Sequence, residues 1–299
     1  MSYKMIHQCL FYSIFQYLGF ESKHSFKKIN KNCNKLSIKD LYNIDIKYLR
    51  KLNDVILLNY PNVTQLRADC NKNINVFNNL NKLEKLSIQY VDTPNDCIMN
   101  LTNLTALNVT YNKGIKNLNH LTKLEILYAR AYCGITNSGV RNLTKIKILD
   151  ISQNIDITKI SHMKNLKYLN INGAMGHGCC NITNAEIIDL DLEILFMFDN
   201  FSITDISHLK NLKFVDIGMS KIDKSSIINK QTVINDDEYL NLNTDTDTYD
   251  NNYVLYNDKT FDTCNMYDCQ QDFVCMQNNH VKQSCKCKLN AIQLCKPKS

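Results

Sequence analysis

The feature that most constrains the fold of this 299-residue chain is an internal repeat. The pattern L-x-x-L-x-L, with other apolar residues at some positions, recurs eight times between residues 63 and 217. Successive copies begin 20, 21, 20, 22, 20, 26 and 20 residues apart. A period of this length is typical of a solenoid, in which each turn packs only on its neighbours. The copies begin at Val63, Leu83, Leu104, Leu124, Ile146, Leu166, Leu192 and Leu212.

The spacing inside the motif predicts one short strand in each turn. Its last four residues alternate, so motif positions four and six point into the core and positions three, five and seven point away from it. Stacking these strands gives a parallel sheet with one continuous core. Each buried side chain contributes roughly 1.5–3 kcal/mol, so eight turns are stable together and one alone is not. Further apolar residues close the turns: Ile115, Ile135, Ile157, Ile160, Ile182, Ile203, Ile206 and Ile222.

The repeats resemble the short leucine-rich repeats of the internalin-like class, as in LTNLTALNV, LTKLEILYA, MKNLKYLNI and LKNLKFVDI. The resemblance covers roughly residues 60 to 222 and implies an α/β solenoid, a horseshoe with a parallel β-sheet on its concave face. In this family an asparagine after the strand bonds the backbone of the neighbouring turn. Asparagine fills that position only in alternate repeats, so we expect an intermittent ladder. The asparagines are Asn71, Asn112, Asn154 and Asn200, and the intervening residues are Val91, Tyr132, Ala174 and Ser220.

Two weaker features bound the repeat region. A degenerate copy of the motif at Leu41, Ile44 and Ile46 extends the predicted solenoid to residues 41–222. Residues 223–262 are polar, acidic and aperiodic, which predicts a disordered linker. We therefore expect four parts, with a helical segment over 1–40 before the repeats and a cysteine-rich tail over 263–299 after the linker.

Aromatic residues collect at the outward motif positions in the C-terminal half of the repeats. Exposed aromatic side chains mark interaction sites, and Tyr, Phe and Arg are frequent anchors in them. The sequence therefore predicts a partner-binding face there, although the tail could instead fold back over these residues. The predicted face consists of Tyr128, Arg130, Tyr168, Phe196, Phe198 and Phe214.

The segment over residues 10–36 resembles an F-box. Ile14, Phe15 and Leu18 match its I-F-x-x-L core at helical spacing, while Ile29 and Leu36 fall at matching distances beyond. The resemblance implies a helical module whose apolar residues dock on a Skp-type linker protein of a cullin ubiquitin ligase. An F-box followed by leucine-rich repeats, in a chain whose amino-acid usage indicates an AT-rich coding genome, also resembles proteins of giant DNA viruses of amoebae. A plain helical cap and a secretory signal remain alternatives for this segment.

Six cysteines crowd the tail, separated by 4, 5, 9, 1 and 7 residues. This spacing resembles an EGF-like module, which implies disulfides pairing 264–275, 269–285 and 287–295, although spacing alone allows 15 connectivities. Zinc binding with His280 is the alternative, but no C-x-x-C pair is present. Disulfides need an oxidising compartment, whereas a ubiquitin adaptor is intracellular. The disulfide candidates are Cys264, Cys269, Cys275, Cys285, Cys287 and Cys295.

No feature of the sequence points to catalysis, a metal or a cofactor. Phosphate-binding loops and catalytic constellations are missing, and His120, His162 and His208 occupy one repeated position of the turn. The net charge of +6 comes without a basic block, which argues against nucleic acid, and no apolar stretch reaches the ~20 residues of a membrane span. We expect a monomeric binding protein in the cytoplasm (of the host cell, if viral), specifically an F-box adaptor presenting a protein target. A secreted or surface repeat protein is the alternative.

Overall fold

The computed structural model describes residues 39–42, 50–74, 77, 79–173, 180–227 and 232–235. These residues form one parallel sheet of ten short strands, ordered in the sheet as they are along the chain. The strands are β1 (Asp40–Leu41), β2 (Gln65–Arg67), β3 (Lys85–Ser87), β4 (Ala106–Asn108), β5 (Ile126–Tyr128), β6 (Ile148–Asp150), β7 (Tyr168–Asn170), β8 (Ile194–Phe196), β9 (Phe214–Asp216) and β10 (Val233–Asn235). The helices are α1 (Asp54–Leu57), α2 (Asn137–Val140), α3 (Asn184–Ile187) and two 3-10 turns, Asn95–Ile98 and Lys224–Ser226.

The strands pair in the register that the motif predicts. Position four of each repeat lies beside position four of the next, as in Leu127 beside Leu149 and Leu149 beside Leu169. Side chains at positions four and six are buried in one continuous core, and the isoleucines that close the turns are buried with them. The predicted parallel-sheet solenoid is therefore confirmed over the repeats.

The backbone turns sharply after each strand, at motif position eight. Seven residues there, none of them glycine, adopt a left-handed conformation with φ between 53° and 59°, whereas Gly173, at the same position of the repeat that begins at Leu166, does not. This geometry turns the N–H toward the next repeat, so that Gln153 N donates to Asn172 O at 2.9 Å and Ala131 N to Ser152 O at 2.8 Å. The residues concerned are Cys70, Tyr90, Tyr111, Ala131, Gln153, Asp199 and Met219.

The repeats alternate between two kinds. Those beginning at residues 63, 104, 146 and 192 carry the ladder asparagine and are each 20 residues long, and none of their described residues is helical; we call them the Asn repeats. Those beginning at residues 83, 124 and 166 lack the asparagine, contain one short helical turn and are 21, 22 and 26 residues long; we call them the helical repeats. The true structural unit is therefore a pair of repeats.

Each ladder asparagine bonds in both directions. Asn154 donates from Nδ2 to Ala129 O of the preceding helical repeat at 2.9 Å, and its Oδ1 accepts from the N–H of Asp156 and Ile157. Asn112 and Asn200 do the same in their own repeats. The expected intermittent ladder is confirmed. In the last helical repeat Cys180 takes part instead, donating from Sγ to Ile151 O at 2.8 Å.

The repeated histidines cap helices. His120, His162 and His208 each donate from Nε2 to the carbonyl of the last residue in the preceding helical turn, at distances of 3.1, 3.1 and 3.0 Å. The acceptors are Ile98, Val140 and Ile187. Because the last carbonyls of a helix have no partner inside it, these bonds are structural, as the repeated position of the histidines suggested.

Both ends of the sheet differ from the sequence-based boundaries. Leu41 pairs with Leu66 and so occupies motif position four, whereas the pattern Leu41/Ile44/Ile46 had placed it at position one. At the other end β10 pairs with β9 inside the stretch interpreted as a disordered linker. Within the described ranges, the first strand of the sheet is therefore Asp40–Leu41 and the sheet extends beyond residue 222.

Candidate functional site

The outward positions of the strands form the candidate site on the concave face of the sheet. In-register pairing stacks equal motif positions in columns, so Ile148, Tyr168, Ile194 and Phe214 follow one another at position three. Neighbouring strands lie about 4.8 Å apart, so large side chains in one column are in contact. Any partner on this face would meet these columns.

Three aromatic rings pack together at the C-terminal end of this face. The ring centroids of Tyr168 and Phe196 are 5.6 Å apart, and those of Phe196 and Phe214 are 5.0 Å apart, both pairs tilted. We call Tyr168, Phe196 and Phe214 the aromatic cluster. The motif positions placed these three residues on one face of the sheet, and their rings are neighbours in the structure. Phe198 lies two residues after Phe196.

The expectation that all these aromatic residues are exposed was wrong for three of them. Tyr168 and Phe196 are each 8% exposed and Tyr128 is 1% exposed, while Phe198 and Phe214 are partly exposed. Mutual packing of large rings at strand spacing is one cause. Tyr128 is enclosed differently, in a small apolar group on the concave side with Tyr42, Ala106, Ile126 and Ile148.

Arg130 stands over a buried carboxylate next to the aromatic cluster. Its Nε and Nη2 atoms lie 2.8 and 2.7 Å from Oδ2 of Asp150, whose side chain is fully buried. Asn170 donates to the same oxygen at 3.1 Å, while Ser152 donates to Oδ1 from its backbone N and from Oγ. The guanidinium is therefore held in one orientation. The motif positions predicted Arg130 as part of the site, but not Asp150.

Burial and charge act together on this group. Burial works to lower the pKa of Arg130, but the charge of Asp150, the hydrogen bond to it and the nearby Tyr168 and Tyr128 together outweigh burial, and the pKa is raised. Burial is the main reason for the raised pKa of Tyr168, and the charge of Asp150 adds to it. Arg130 is therefore permanently charged and Tyr168 permanently neutral, so the site offers one fixed positive charge among neutral rings.

A second buried network lies near the N-terminal end of the face. Asp69 accepts hydrogen bonds from Ser87 Oγ at 2.6 Å and from the backbone N and Nε2 of Gln89 at 2.9 and 3.2 Å. Burial nevertheless raises the pKa of Asp69. All three side chains are buried and satisfy one another, so this network holds adjacent turns together rather than facing a ligand.

Other candidate residues lie elsewhere or outside the described part of the chain. The F-box-like residues Ile14, Phe15, Leu18, Ile29 and Leu36 lie outside it, as do all six tail cysteines. Among the residues described, no group of three potential metal ligands comes together. None of the helices in the described ranges has both the length and the hydrophobicity of a membrane span.

The cysteines of the repeats differ in state. Cys97, Cys133 and Cys180 are buried free thiols, and burial raises the pKa of Cys133 to about 11. Such thiols are unreactive and behave as small core residues. Cys70 is disulfide-bonded.

No protein-family model and no curated protein matches the chain. Among solved structures it is similar to an internalin (InlF) from Listeria monocytogenes, with 22% identity, a TM-score of 0.45, and coverage of 62% of this chain and 66% of that one. A Leptospira interrogans leucine-rich-repeat protein shows 18% identity and a TM-score of 0.44 over 67% of this chain and 59% of that one. The mouse RP105/MD-1 complex shows 23% identity and a TM-score of 0.42 over 57% and 33%. This chain spans two thirds or less of the length of each of these neighbours.

Proposed function

We propose that the chain is a scaffold that binds another protein on the concave face of its repeats. The observation that carries this is the aromatic cluster, packed beside the fixed guanidinium of Arg130. Rigid aromatic and arginine side chains lose little conformational entropy on binding, which makes them effective anchors. A sheet held by ladder bonds in every second repeat provides a rigid support for them.

Selection of displayed random peptides against the immobilised protein tests this proposal. Phe214→Asp places a charge in the aromatic cluster and should weaken the selected peptides at least about tenfold. Phe201→Asp is the matched control, because Phe201 is 43% exposed and lies beyond the strand. If Phe214→Asp and Phe201→Asp weaken peptide binding equally, or if neither variant weakens it, binding on the concave face is contradicted.

The finer proposal is that residues 1–40 act as an F-box and make the chain a substrate adaptor of a cullin ubiquitin ligase. Its support is the I-F-x-x-L match at Ile14, Phe15 and Leu18, directly before a repeat solenoid. In this arrangement the Skp-type linker protein binds the N-terminal segment and the repeats hold the target. The protein would then work in the cytoplasm.

Direct binding to a purified Skp-type linker protein tests the adaptor proposal. Wild-type protein should bind, and the Ile14→Asp/Leu18→Asp variant should not, while keeping the circular dichroism of the repeats. Phe214→Asp serves as the control, because it alters the target face and should leave linker binding intact. Failure of the wild-type protein to bind would eliminate the F-box role without affecting the concave-face proposal.

A second candidate, a secreted or surface binding protein, is favoured by the disulfide at Cys70. Disulfides persist mainly in oxidising compartments. Peptide mass mapping of the protein from its native source, under non-reducing conditions, separates the two candidates. A bonded Cys70 together with paired tail cysteines supports secretion, and reduced cysteines throughout support the adaptor.

A further inference from the structure

We propose that the concave face recognises an acidic side chain of its protein partner, and that Arg130 is the residue that receives it. This inference rests on the proposed binding function and specifies the chemistry of the partner. The recognised group is a carboxylate that the partner presents among apolar residues. Three observations support it, each concerning the surroundings of the guanidinium.

The first is the orientation of the ion pair. Asp150 has no exposed side-chain surface, whereas the side chain of Arg130 is 20% exposed. Both contacts from Arg130 end on a single oxygen of Asp150, so the Nε–Nη2 edge faces the sheet. Among the described residues no partner is found for Nη1. The pair therefore presents its positive end to solvent, with N–H groups suited to a carboxylate.

The second is that Arg130 has no charged competitor on the central face. In the repeats that contain β4 to β7, the outward motif positions three and five lie in the strand, and position seven lies two residues beyond its end. These positions hold twelve side chains, three in each of the four repeats. Only Arg130 and Asp150 among these are charged, and only Arg130 reaches solvent. On these four strands an approaching partner thus meets one positive charge, and an acidic residue complements it; the next cation along position three is Lys85 of β3, which lies over the ring of Tyr42.

The third is a buried hydroxyl at the matching position of the neighbouring repeat. Thr110 is 5% exposed, and its Oγ1 finds no hydrogen-bond partner within the described part of the chain. Thr110 and Arg130 both occupy motif position seven, in adjacent turns. A buried polar atom without a partner costs free energy, and a carboxylate held by Arg130 is an acceptor that this hydroxyl could satisfy.

The aromatic cluster adds the apolar part of the recognition. Tyr168 lies two positions before Asn170, which itself bonds Asp150, and its hydroxyl interacts electrostatically with both Arg130 and Asp150, so this ring of the cluster is near the ion pair. Neutral surroundings lower the effective dielectric constant and strengthen a charge–charge contact. The matching partner segment is one in which Glu or Asp is flanked by apolar residues.

Two displayed libraries of random peptides test the inference, identical except for a fixed central residue, Glu in one and Gln in the other. Wild-type protein should enrich the Glu library about tenfold or more over the Gln library. Arg130→Gln alone would leave Asp150 buried without its partner, so the test variant is Arg130→Gln/Asp150→Asn, which removes both charges and keeps the shape. That variant should enrich both libraries equally. Lys147→Gln is the control, because Lys147 pairs with Glu125 on an exposed edge, and it should keep the preference.

The outcomes separate this inference from the function on which it rests. Equal enrichment of the two libraries by the wild type, with binding that Phe214→Asp abolishes, overturns the acidic preference and leaves the concave-face function standing. A Glu preference that survives in Arg130→Gln/Asp150→Asn overturns the assignment to Arg130. Selected peptides that Phe214→Asp leaves unaffected in both libraries overturn the proposed function itself.

Discussion

At the scale of single residues, the left-handed backbone at motif position eight is the most consistent feature of the molecule. Seven non-glycine residues adopt it among those described, and six of them donate their N–H to a carbonyl of the following turn. A left-handed conformation costs an L-residue roughly 1–2 kcal/mol, and β-branched side chains tolerate it worst. Hydrogen bonds to the next turn and burial of the core offset that cost.

Gln153, with φ of 59°, is suited to measuring this strain. We expect Gln153→Val to lower the free energy of unfolding by about 1–2 kcal/mol, while Gln153→Gly stays within about 1 kcal/mol of the wild type. Urea unfolding measures both. At Lys145, an exposed residue outside this group, Gly should instead be at least as harmful as Val. Equal stability of the two Gln153 variants would mean that the position carries no strain.

Glu186 links a helical repeat to the preceding Asn repeat and responds to pH. Its carboxylate accepts from the N–H of Ile160 at 2.9 Å and of Ser161 at 3.0 Å, and from Lys159 Nζ at 3.1 Å. Burial works to raise the pKa of Glu186, but these hydrogen bonds outweigh it and hold the pKa below its ordinary 4.5. A lowered pKa in the folded state stabilises the protein above the unfolded value, and that contribution disappears as pH falls.

We therefore expect Glu186→Gln to be less stable than the wild type at neutral pH, with a gap that narrows as pH falls below 4.5. Chemical unfolding at a series of pH values measures the gap. Asp189→Asn is the control, because Asp189 pairs with Lys164 on the exposed surface, where ion pairs contribute little. A gap that is constant across the acidic range would contradict the assigned role.

At the scale of elements, the helical turns are too short to be stable alone. Each α-helical turn spans four residues and so has few internal hydrogen bonds. Asn53 caps α1 by accepting from Ile56 N at 2.9 Å. In the following Asn repeats, the turns after β4, β6 and β8 supply the histidines that bond the far ends of the helical turns. Helix formation thus depends on the neighbouring turn.

His162→Ala should lower the free energy of unfolding by about 0.5–1.5 kcal/mol, because it leaves the carbonyl of Val140 without its donor. Glutamine places an N–H at a similar distance from the backbone, so His162→Gln should recover part of the loss. Thermal unfolding measures both variants, with Lys145→Ala as an exposed control. If alanine and glutamine are equally destabilising, the histidine contributes by packing and not by capping.

The sequence predicted the strands and the core but not these short turns. A core leucine recurs every turn and is visible as a period, whereas a four-residue helix is shorter than the pattern that would reveal it. The first strand was misplaced for a related reason. Isoleucine is so common in this chain that Ile44 and Ile46 imitated the motif, while the real strand contains one core leucine, Leu41.

The sequence predicted which residues lie on the candidate face better than it predicted how exposed their side chains are. Motif positions alone placed Tyr168, Phe196 and Phe214 on one face, and the structure brings their rings together. Whether a ring is exposed depends on the neighbouring strands, which single positions do not reveal. Asp150 was missed because Arg130 is at position seven and its partner at position five of the next repeat, a diagonal pairing that appears only once the register is known.

At the scale of the whole molecule, the alternation of Asn and helical repeats makes the pair the unit of stability. The Asn repeats that begin at residues 104, 146 and 192 each bond the preceding helical repeat at two separated points, through the ladder asparagine and through the capping histidine. The stability of a solenoid is a sum of nearest-neighbour interfaces. Removing one repeat of the pair therefore joins two surfaces that do not match.

Two deletions test this directly. Removing residues 83–123, a helical and an Asn repeat, keeps the alternation, whereas removing 104–123 joins two helical repeats and loses Asn112 and His120. We expect the larger deletion to unfold cooperatively at a higher temperature than the smaller one, as scanning calorimetry would measure. The reverse order would show that single repeats are interchangeable.

The two kinds of repeat also differ in how freely their length can change. All four Asn repeats have 20 residues; the buried asparagine fixes the chain in each of them, and a histidine fixes it at a second point in three. The helical repeats have 21, 22 and 26 residues, so the longest already holds six more residues than an Asn repeat. For protein engineering, a foreign loop or a reporter peptide grafted into this solenoid belongs in a helical repeat, where natural insertions have already been accommodated.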